Sequence, residues 1–371
     1  MELFVGLDVS VRTTSVCVMD ASGKLIRESK VESEPETIAA LLHAIGGPYK
    51  RVGLEAGPLS QWLYSGLASA GFPVICVETR HMKAALSAQI NKTDRNDARG
   101  IAQMMRVGLY KPVHVKTIRS QEIRMLLTAR KFVQTKIIDA ENNLRGLLRN
   151  FGLKVGAVTR LQFERRIVEL LEQSPHLRLI VEPLLTVRRV LREQFQHLHK
   201  AMERLAESDE TCTLLMTAPG VGPMVALSFR AGVDEPARFG RSRSVPAHFG
   251  LTPSRYQSGE IDRDRGISKC GDAGIRWVLV EAAGILLRIS KKSSPLKTWG
   301  LAVARRRGMA KATVAVARRL APGGHPAPDV GRQHTISLGG RGRLKPAKSS
   351  ASLRGERSRP GTSGQAIPRR A

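Results

Sequence analysis

Aromatic residues are scarce in this chain, 4% of 371, and acidic ones are outnumbered, with 32 Asp and Glu against 60 Lys and Arg. So few rings suit backbone binding better than base stacking, and a formal net charge of +28 implies a polyanionic partner, by default nucleic acid. Cysteine is rare too. Cys17, Cys76, Cys212 and Cys270 show no C-x-x-C spacing, which excludes a zinc ribbon and a disulfide framework and leaves four expected buried thiols. No apolar run approaches the ~18 residues of a membrane span. The start, Met1-Glu2-Leu3-Phe4-Val5, lacks a basic segment and runs directly into Asp8, so no signal peptide and a cytoplasmic location are expected.

What is present is a globular composition, 42% hydrophobic and 25% charged, in a chain long enough for two or three domains. The charge is unevenly placed: residues 1–110 carry a net +1, residues 111–320 +19 and residues 321–371 +8. Carboxylates are therefore concentrated in the first third, and the remainder is where phosphates would be held.

The first third reads as α/β. Residues 3–10 form a buried apolar strand with Asp8 inside it, and residues 14–19 and 24–32 form a hairpin about Asp20-Ala21-Ser22-Gly23. Residues 35–45 have the spacing of an amphipathic helix, 51–57 form a strand carrying Glu55, 59–70 a helix and 72–77 a last strand. In Lys92-Thr93-Asp94-Arg95-Asn96-Asp97-Ala98 the two aspartates stand three apart, on one face of a helix. Two like charges so held raise each other's cost of ionisation unless a cation lies between them. A solvated helix start accounts for that pair alone equally well. Three successive strands followed by alternating helices and strands, however, are the layout of a ribonuclease-H-like fold, in which carboxylates at the places of Asp8, Glu55, Asp94 and Asp97 converge. Four such groups suit two Mg²⁺ ions and phosphoryl transfer.

Residues 118–205 are helical in pattern, interrupted at Gly152, Pro175 and Pro183, with basic residues flanking the apolar stripe. A backbone-binding face and an antiparallel coiled-coil pair that dimerises the protein both fit. Beyond it, Thr217-Ala218-Pro219-Gly220-Val221-Gly222-Pro223 opens a helix, and Gly220 and Gly222 would let the main chain approach a phosphate closely, as in a helix-hairpin-helix element. Then comes Gly250-Leu251-Thr252-Pro253-Ser254-Arg255-Tyr256-Gln257-Ser258-Gly259, with Arg263, Arg265 and Lys269 after it. No His or Asp triad is spaced around Ser258, and by chemistry alone it is a turn serine.

Gly6-Leu7-Asp8-Val9-Ser10, Gly53-Leu54-Glu55-Ala56 and the Lys92–Ala98 element resemble the Asp-Glu-Asp-Asp signature of transposases of the insertion sequence 110 family, and the resemblance extends over residues 3–320. It implies a RuvC-like, ribonuclease-H-like N-terminal domain over 1–110 and a helical, coiled-coil connector over 111–208. It also implies a mainly α transposase domain over 209–320, with the helix-hairpin-helix-like element and the serine. It further implies Asp8, Glu55, Asp94 and Asp97 as Mg²⁺ ligands and Ser258 as a nucleophile forming a transient 5′-phosphoserine. Gly220, Gly222, Arg255, Arg263, Arg265 and Lys269 would hold nucleic acid. The implied partners are the DNA of element ends and target, an element-encoded guide RNA and further copies of the chain, a dimer or tetramer, with no membrane. Two other functions fit the residues: a Holliday-junction-type structure-specific endonuclease, and a non-catalytic nucleic-acid-binding relic. Residues 321–371 depart from the family pattern and read as a disordered basic tail, frameshifted or otherwise degenerate, which would put activity in question.

Overall fold

The computed structural model describes residues 2–87, 92–172 and 174–323; the tail expected from 324 onward lies outside them. The first part of the chain forms β1 (Leu3–Val9), β2 (Thr13–Asp20), β3 (Leu25–Glu32), α1 (Pro35–Ile45), β4 (Tyr49–Glu55), α2 (Ser60–Ser69), β5 (Val74–Val77), α3 (Thr79–Leu86) and α4 (Asp94–Val107). The strands make one sheet in the order β3-β2-β1-β4-β5, β1 antiparallel to β2, and parallel to β4, which is in turn parallel to β5. This is the ribonuclease-H-like arrangement expected.

Strand alternation distributes the core to both faces. Leu3, Val5, Leu7, Val16 and Val18 pack with Ile38 and Leu42 of α1 and Leu63 and Leu67 of α2. Phe4, Cys17 and Met19 pack on the other face with Ile101, Ala102 and Met105 of α4. The hairpin turn is fixed by Asp20, whose carboxylate accepts from the amides of Ser22 and Lys24 at 2.8 and 2.9 Å. Helix α3 is not expected from the sequence; its eight residues come after β5 with only Glu78 between, too short for periodicity to separate it from a loop.

Next come α5 (Ile118–Arg149), α6 (Phe163–Glu172) and α7 (Arg178–Glu207). The pairs Arg119–Asp209, Arg130–His199 and Glu141–Arg188, at 3.2, 3.2 and 2.8 Å, run forward on α5 and backward toward α7, so the two long helices are antiparallel. Pro183, expected as a break, lies inside α7. It is exposed, so the carbonyl its ring leaves unbonded faces water and the helix survives the lost hydrogen bond. The far end of this helical pair has its own core, with Leu144, Leu148, Phe163, Ile167 and Leu185. The near end, at Ile123, Met202 and Ala206, is built into the core of the C-terminal part.

The C-terminal part comprises α8 (Glu210–Met216), α9 (Pro223–Val233), α10 (Val245–His248), β6 (Pro253–Ser258), β7 (Ile261–Ile267), α11 (Ala273–Arg288), α12 (Pro295–Arg307) and α13 (Met309–Gly323). It is mainly helical, with β6 and β7 as an antiparallel two-stranded sheet. Helix α13 runs three residues past Leu320, where the family-like pattern ends, and Ala321 in that extension is buried. Cys17, Cys76 and Cys212 are buried as expected, but Cys270 is exposed. It lies in the turn between β7 and α11. No described helix is long and apolar enough to cross a membrane.

Candidate active site

Helix α4 begins where Thr93 caps it, its hydroxyl accepting from the Asn96 amide at 3.2 Å, and ends at Gly108 in the left-handed region. Ala98, Ile101, Ala102 and Met105 form its buried face. That face lies unusually close to the sheet, because β1 and β4 present a pair of glycines to it: Gly6 and Gly53 are register partners. A Cβ on Gly6 would fall 2.1 Å from the Ala98 carbonyl oxygen, and one on Gly53 2.6 Å from Met105 Cγ. Asp94 and Asp97, in the first turn, are thereby carried over the end of β1 that bears Asp8.

The charges register this meeting. Burial, then Asp97, Asp94 and Glu55, push the Asp8 carboxyl up to about 6, with Lys92 opposing. Burial also raises Glu55, with Asp97 adding to it and a hydrogen bond from Thr79 opposing. Asp8, Glu55, Asp94 and Asp97 thus share one field, although they come from two strands and a helix. Among the described residues no three Asp, Glu, His or Cys side chains stand close enough as they are to enclose an ion. Asp94 is turned outward to Lys30, 3.2 Å away. A donor set made only of carboxylate oxygens, partly buried and mutually repelling, suits a hard divalent cation such as Mg²⁺.

Ser258 is placed elsewhere. It ends β6, is exposed, and pairs with Ile261 across the hairpin. Neither strand of the hairpin belongs to the large sheet that carries Asp8 and Glu55. Arg255, Arg263 and Arg265 lie on the same hairpin and Lys269 just after it. Arg255 pairs with Asp262, Nε to Oδ1 at 2.7 Å. Arg265 lies over the Tyr256 ring at 4.6 Å, and Arg263 is the cross-strand neighbour of Tyr256. Lys269 adopts a φ of 55° in the turn after β7, its amide donating to the Gly250 carbonyl at 3.2 Å.

Gly220 and Gly222 lie between α8 and α9 as expected of a helix-hairpin-helix element. Gly220 has a φ of 86°, and a Cβ there would meet the Ala282 carbonyl oxygen of α11 at 2.9 Å, so its glycine is also required by packing within the fold. Gly222 has open space beside it.

A family model described as "Transposase", DEDD_Tnp_IS110, matches residues 5–152, and one described as "Transposase IS116/IS110/IS902 family" matches residues 212–297. The transposase for insertion sequence element IS1111A of Coxiella burnetii is 30% identical over 328 residues, covering 85% of this chain and 87% of that protein. The chain belongs to the IS116/IS110/IS902 family of transposases. The transposase for insertion sequence element IS1328 of Yersinia enterocolitica is 27% identical over 214 residues, 56% of this chain and 63% of that one. A solved structure of T. thermophilus RuvC in complex with a Holliday junction substrate is similar over 30% of this chain and 100% of its own, with 17% identity and a TM-score of 0.24.

Some groups at and beyond this site are not found from the sequence. Lys30 reads there as one charge in an exposed strand, and only the register Asp8-Ser15-Lys30 across β1, β2 and β3 would point to it. Asp234 and His114 are 120 residues apart and meet at 2.6 Å; no spacing signals that.

Proposed function

We propose that this transposase is a site-specific DNA recombinase in which the acidic group and Ser258 act on the same phosphodiester. The observation that carries the acidic half is the meeting of Asp8, Glu55, Asp94 and Asp97 from β1, β4 and α4, where burial first and then the neighbouring carboxylates raise Asp8 to about 6, a repulsion that a divalent cation would relieve. Mg²⁺ bound there would polarise the phosphate and stabilise the leaving oxygen. In the serine half, Ser258 Oγ gives up its proton and forms a bond to phosphorus. The P–O3′ bond breaks, the 3′ oxygen takes up a proton, and a 5′-phosphoserine remains. Attack by another strand's 3′ hydroxyl reverses these steps and releases Ser258, so the ends rejoin with no external energy source. Arg255, Arg263 and Arg265 on the hairpin and Lys269 just after it would neutralise phosphate charge.

The two halves lie on different elements, and in an oligomer the acidic group of one copy would meet the hairpin of another. Ile118, Met125 and Phe132 support that oligomer. They are exposed on α5 and spaced by seven residues, as in the seam of a coiled coil. The net charge of +28 supports a nucleic-acid partner held through its backbone, as an element-encoded guide RNA paired with DNA would be.

A structure-specific nuclease is the second reading, favoured by one observation: the Ser258 hydroxyl makes no hydrogen bond to any described residue, so among these no general base is in contact with it. Trapping the protein on cleaved DNA separates the two. A covalent adduct that forms with the wild type and disappears with Ser258→Ala and with Asp8→Ala supports the recombinase. Metal-dependent cutting that survives Ser258→Ala overturns it in favour of the nuclease, and absence of cutting by every version leaves only a binding protein.

A further inference from the structure

Strand β3 supplies a cation that the four-carboxylate reading does not use. Lys30 stands opposite Ser15, and Ser15 opposite Asp8, so the three side chains share the sheet face that α4 covers. From there Lys30 Nζ reaches Asp94 Oδ2 at 3.2 Å, with the two side chains 57% and 60% exposed. Lys30 therefore occupies, at one carboxylate of the group, a position for which a metal ion would compete. The neighbouring acid on β3, Glu28, is already held by Arg95 and Arg99, which leaves Asp94 as the ionic partner of Lys30 among the described residues.

Beside this ion pair is a cavity of about 540 Å³ lined in part by Ser15, Ser29, Lys30, Thr93 and Arg95, with Asp94 and the arginine-bound Glu28 as its acids. Lys30 and three hydroxyls, beside an Arg95 that is paired with Glu28, line a space next to the acidic group and are donors of the kind that grip a nucleic-acid backbone. A solvent-exposed lysine–carboxylate pair is weak and readily exchanged. The flexible four-carbon stem of lysine lets its ammonium group be aimed afresh without moving the strand.

We propose that Lys30 is a displaceable counter-ion of Asp94: when a divalent cation takes that carboxylate, the released ammonium group turns into the adjoining cavity and holds a phosphodiester of the bound nucleic-acid strand. Metal and nucleic acid would then favour each other's binding through one side chain, because the ion that frees Lys30 also creates a phosphate contact. This inference rests on the metal-binding reading of the four carboxylates.

The test uses full-length protein carrying Lys30→Met or Lys30→Arg, with Asp8→Asn as the reference for the metal site. Mn²⁺ affinity is measured by calorimetry without DNA, and affinity for a fixed random-sequence DNA duplex is measured against salt with and without Mn²⁺. In Lys30→Met, Mn²⁺ should bind roughly two- to five-fold more tightly, the range an exposed ion pair accounts for. Its salt dependence of DNA binding should match wild type without Mn²⁺ and be shallower by about one unit of slope with Mn²⁺. Lys30→Arg should behave as wild type in both. Unchanged Mn²⁺ affinity in Lys30→Met, or a salt slope that ignores Mn²⁺, overturns the proposal while leaving the acidic site intact. Wild type that takes up no Mn²⁺, or Asp8→Asn that takes it up equally well, overturns the metal reading itself and this inference with it.

Discussion

Gly6 of β1 lies against the backbone of Ala98 on α4, so close that a Cβ on the glycine would fall 2.1 Å from the Ala98 carbonyl oxygen and 2.3 Å from the Ala102 amide nitrogen. Neither atom is the end of a flexible side chain, so any substitution must lift the helix. Gly6→Ala should therefore destabilise the protein by about 1–3 kcal/mol, the usual cost of overpacking. It should also abolish DNA cutting, because Asp94 and Asp97 move with the helix. Denaturant unfolding together with a cleavage assay checks it. Cutting at the wild-type rate would mean that the closeness of α4 is not what assembles the acidic group.

Asp8 carries the clearest pH signature. Burial and then the neighbouring carboxylates raise it to about 6 from an ordinary value of 3.8. For a raised acid the folded state is favoured fully below the ordinary value, and that advantage is lost as pH rises through about 6. Metal-free wild type should lose stability over that window, whereas Asp8→Asn should melt a few degrees above wild type at neutral pH, the gap closing near pH 4. Added Mn²⁺ should stabilise wild type and not the variant. Thermal melts across pH, with and without the ion, decide it.

Asp234 has the opposite sign. Burial alone would raise its carboxyl, but hydrogen bonds from Ser120, Thr117 and His114 outweigh burial and hold it well below the usual carboxylate range. The Thr117 hydroxyl and amide donate at 2.6 and 3.0 Å, tying the segment before α5 to the end of α9. A depressed acid contributes stability that is fully present above its ordinary value of 3.8 and is lost progressively as pH falls from there through the lowered folded-state value. Asp234→Ala should cost about 2–4 kcal/mol at neutral pH, and the difference from wild type should shrink in acid. Urea titrations at neutral pH and at pH 3 measure both; equal midpoints at neutral pH would sink the account.

Arg188 on α7 is 2% exposed. It reaches Glu141 at 2.8 Å and Glu164 at 3.5 Å, donates to the Arg160 carbonyl at 2.9 Å and lies over Phe163 at 4.7 Å. Removing one member of a buried ionic group strands the others, so Arg188→Ala should cost about 3–5 kcal/mol. The loss should be local to the far end of the helical pair. Hydrogen exchange should quicken over α6 and adjoining α7 while the large sheet stays protected.

The order of strands and helices in the first third is legible because each element there has a clean period and clear turn residues: Asp20-Ala21-Ser22-Gly23 closes one hairpin, and Pro35 opens a helix. The acidic residues are legible as types and spacings, since a carboxylate inside an apolar strand needs a partner. Other features are not. Helix α3 is too short to show a period, Pro183 is tolerated inside α7 because its face is wet, and Cys270 lies exposed in the turn before α11.

What the sequence determined by itself is therefore local and repetitive: periodicity, turn chemistry, charge balance, and a motif whose residue types imply a metal. What only the tertiary structure decided is which distant groups meet. Gly6 and Gly53 become informative only once β1 and β4 are paired beneath α4. Lys30 meets Asp94 across 64 residues, and His114 meets Asp234 across 120. Contacts of that separation arise from strand register and helix packing, which are settled by the summed burial of many side chains and leave no mark in any short stretch of chain.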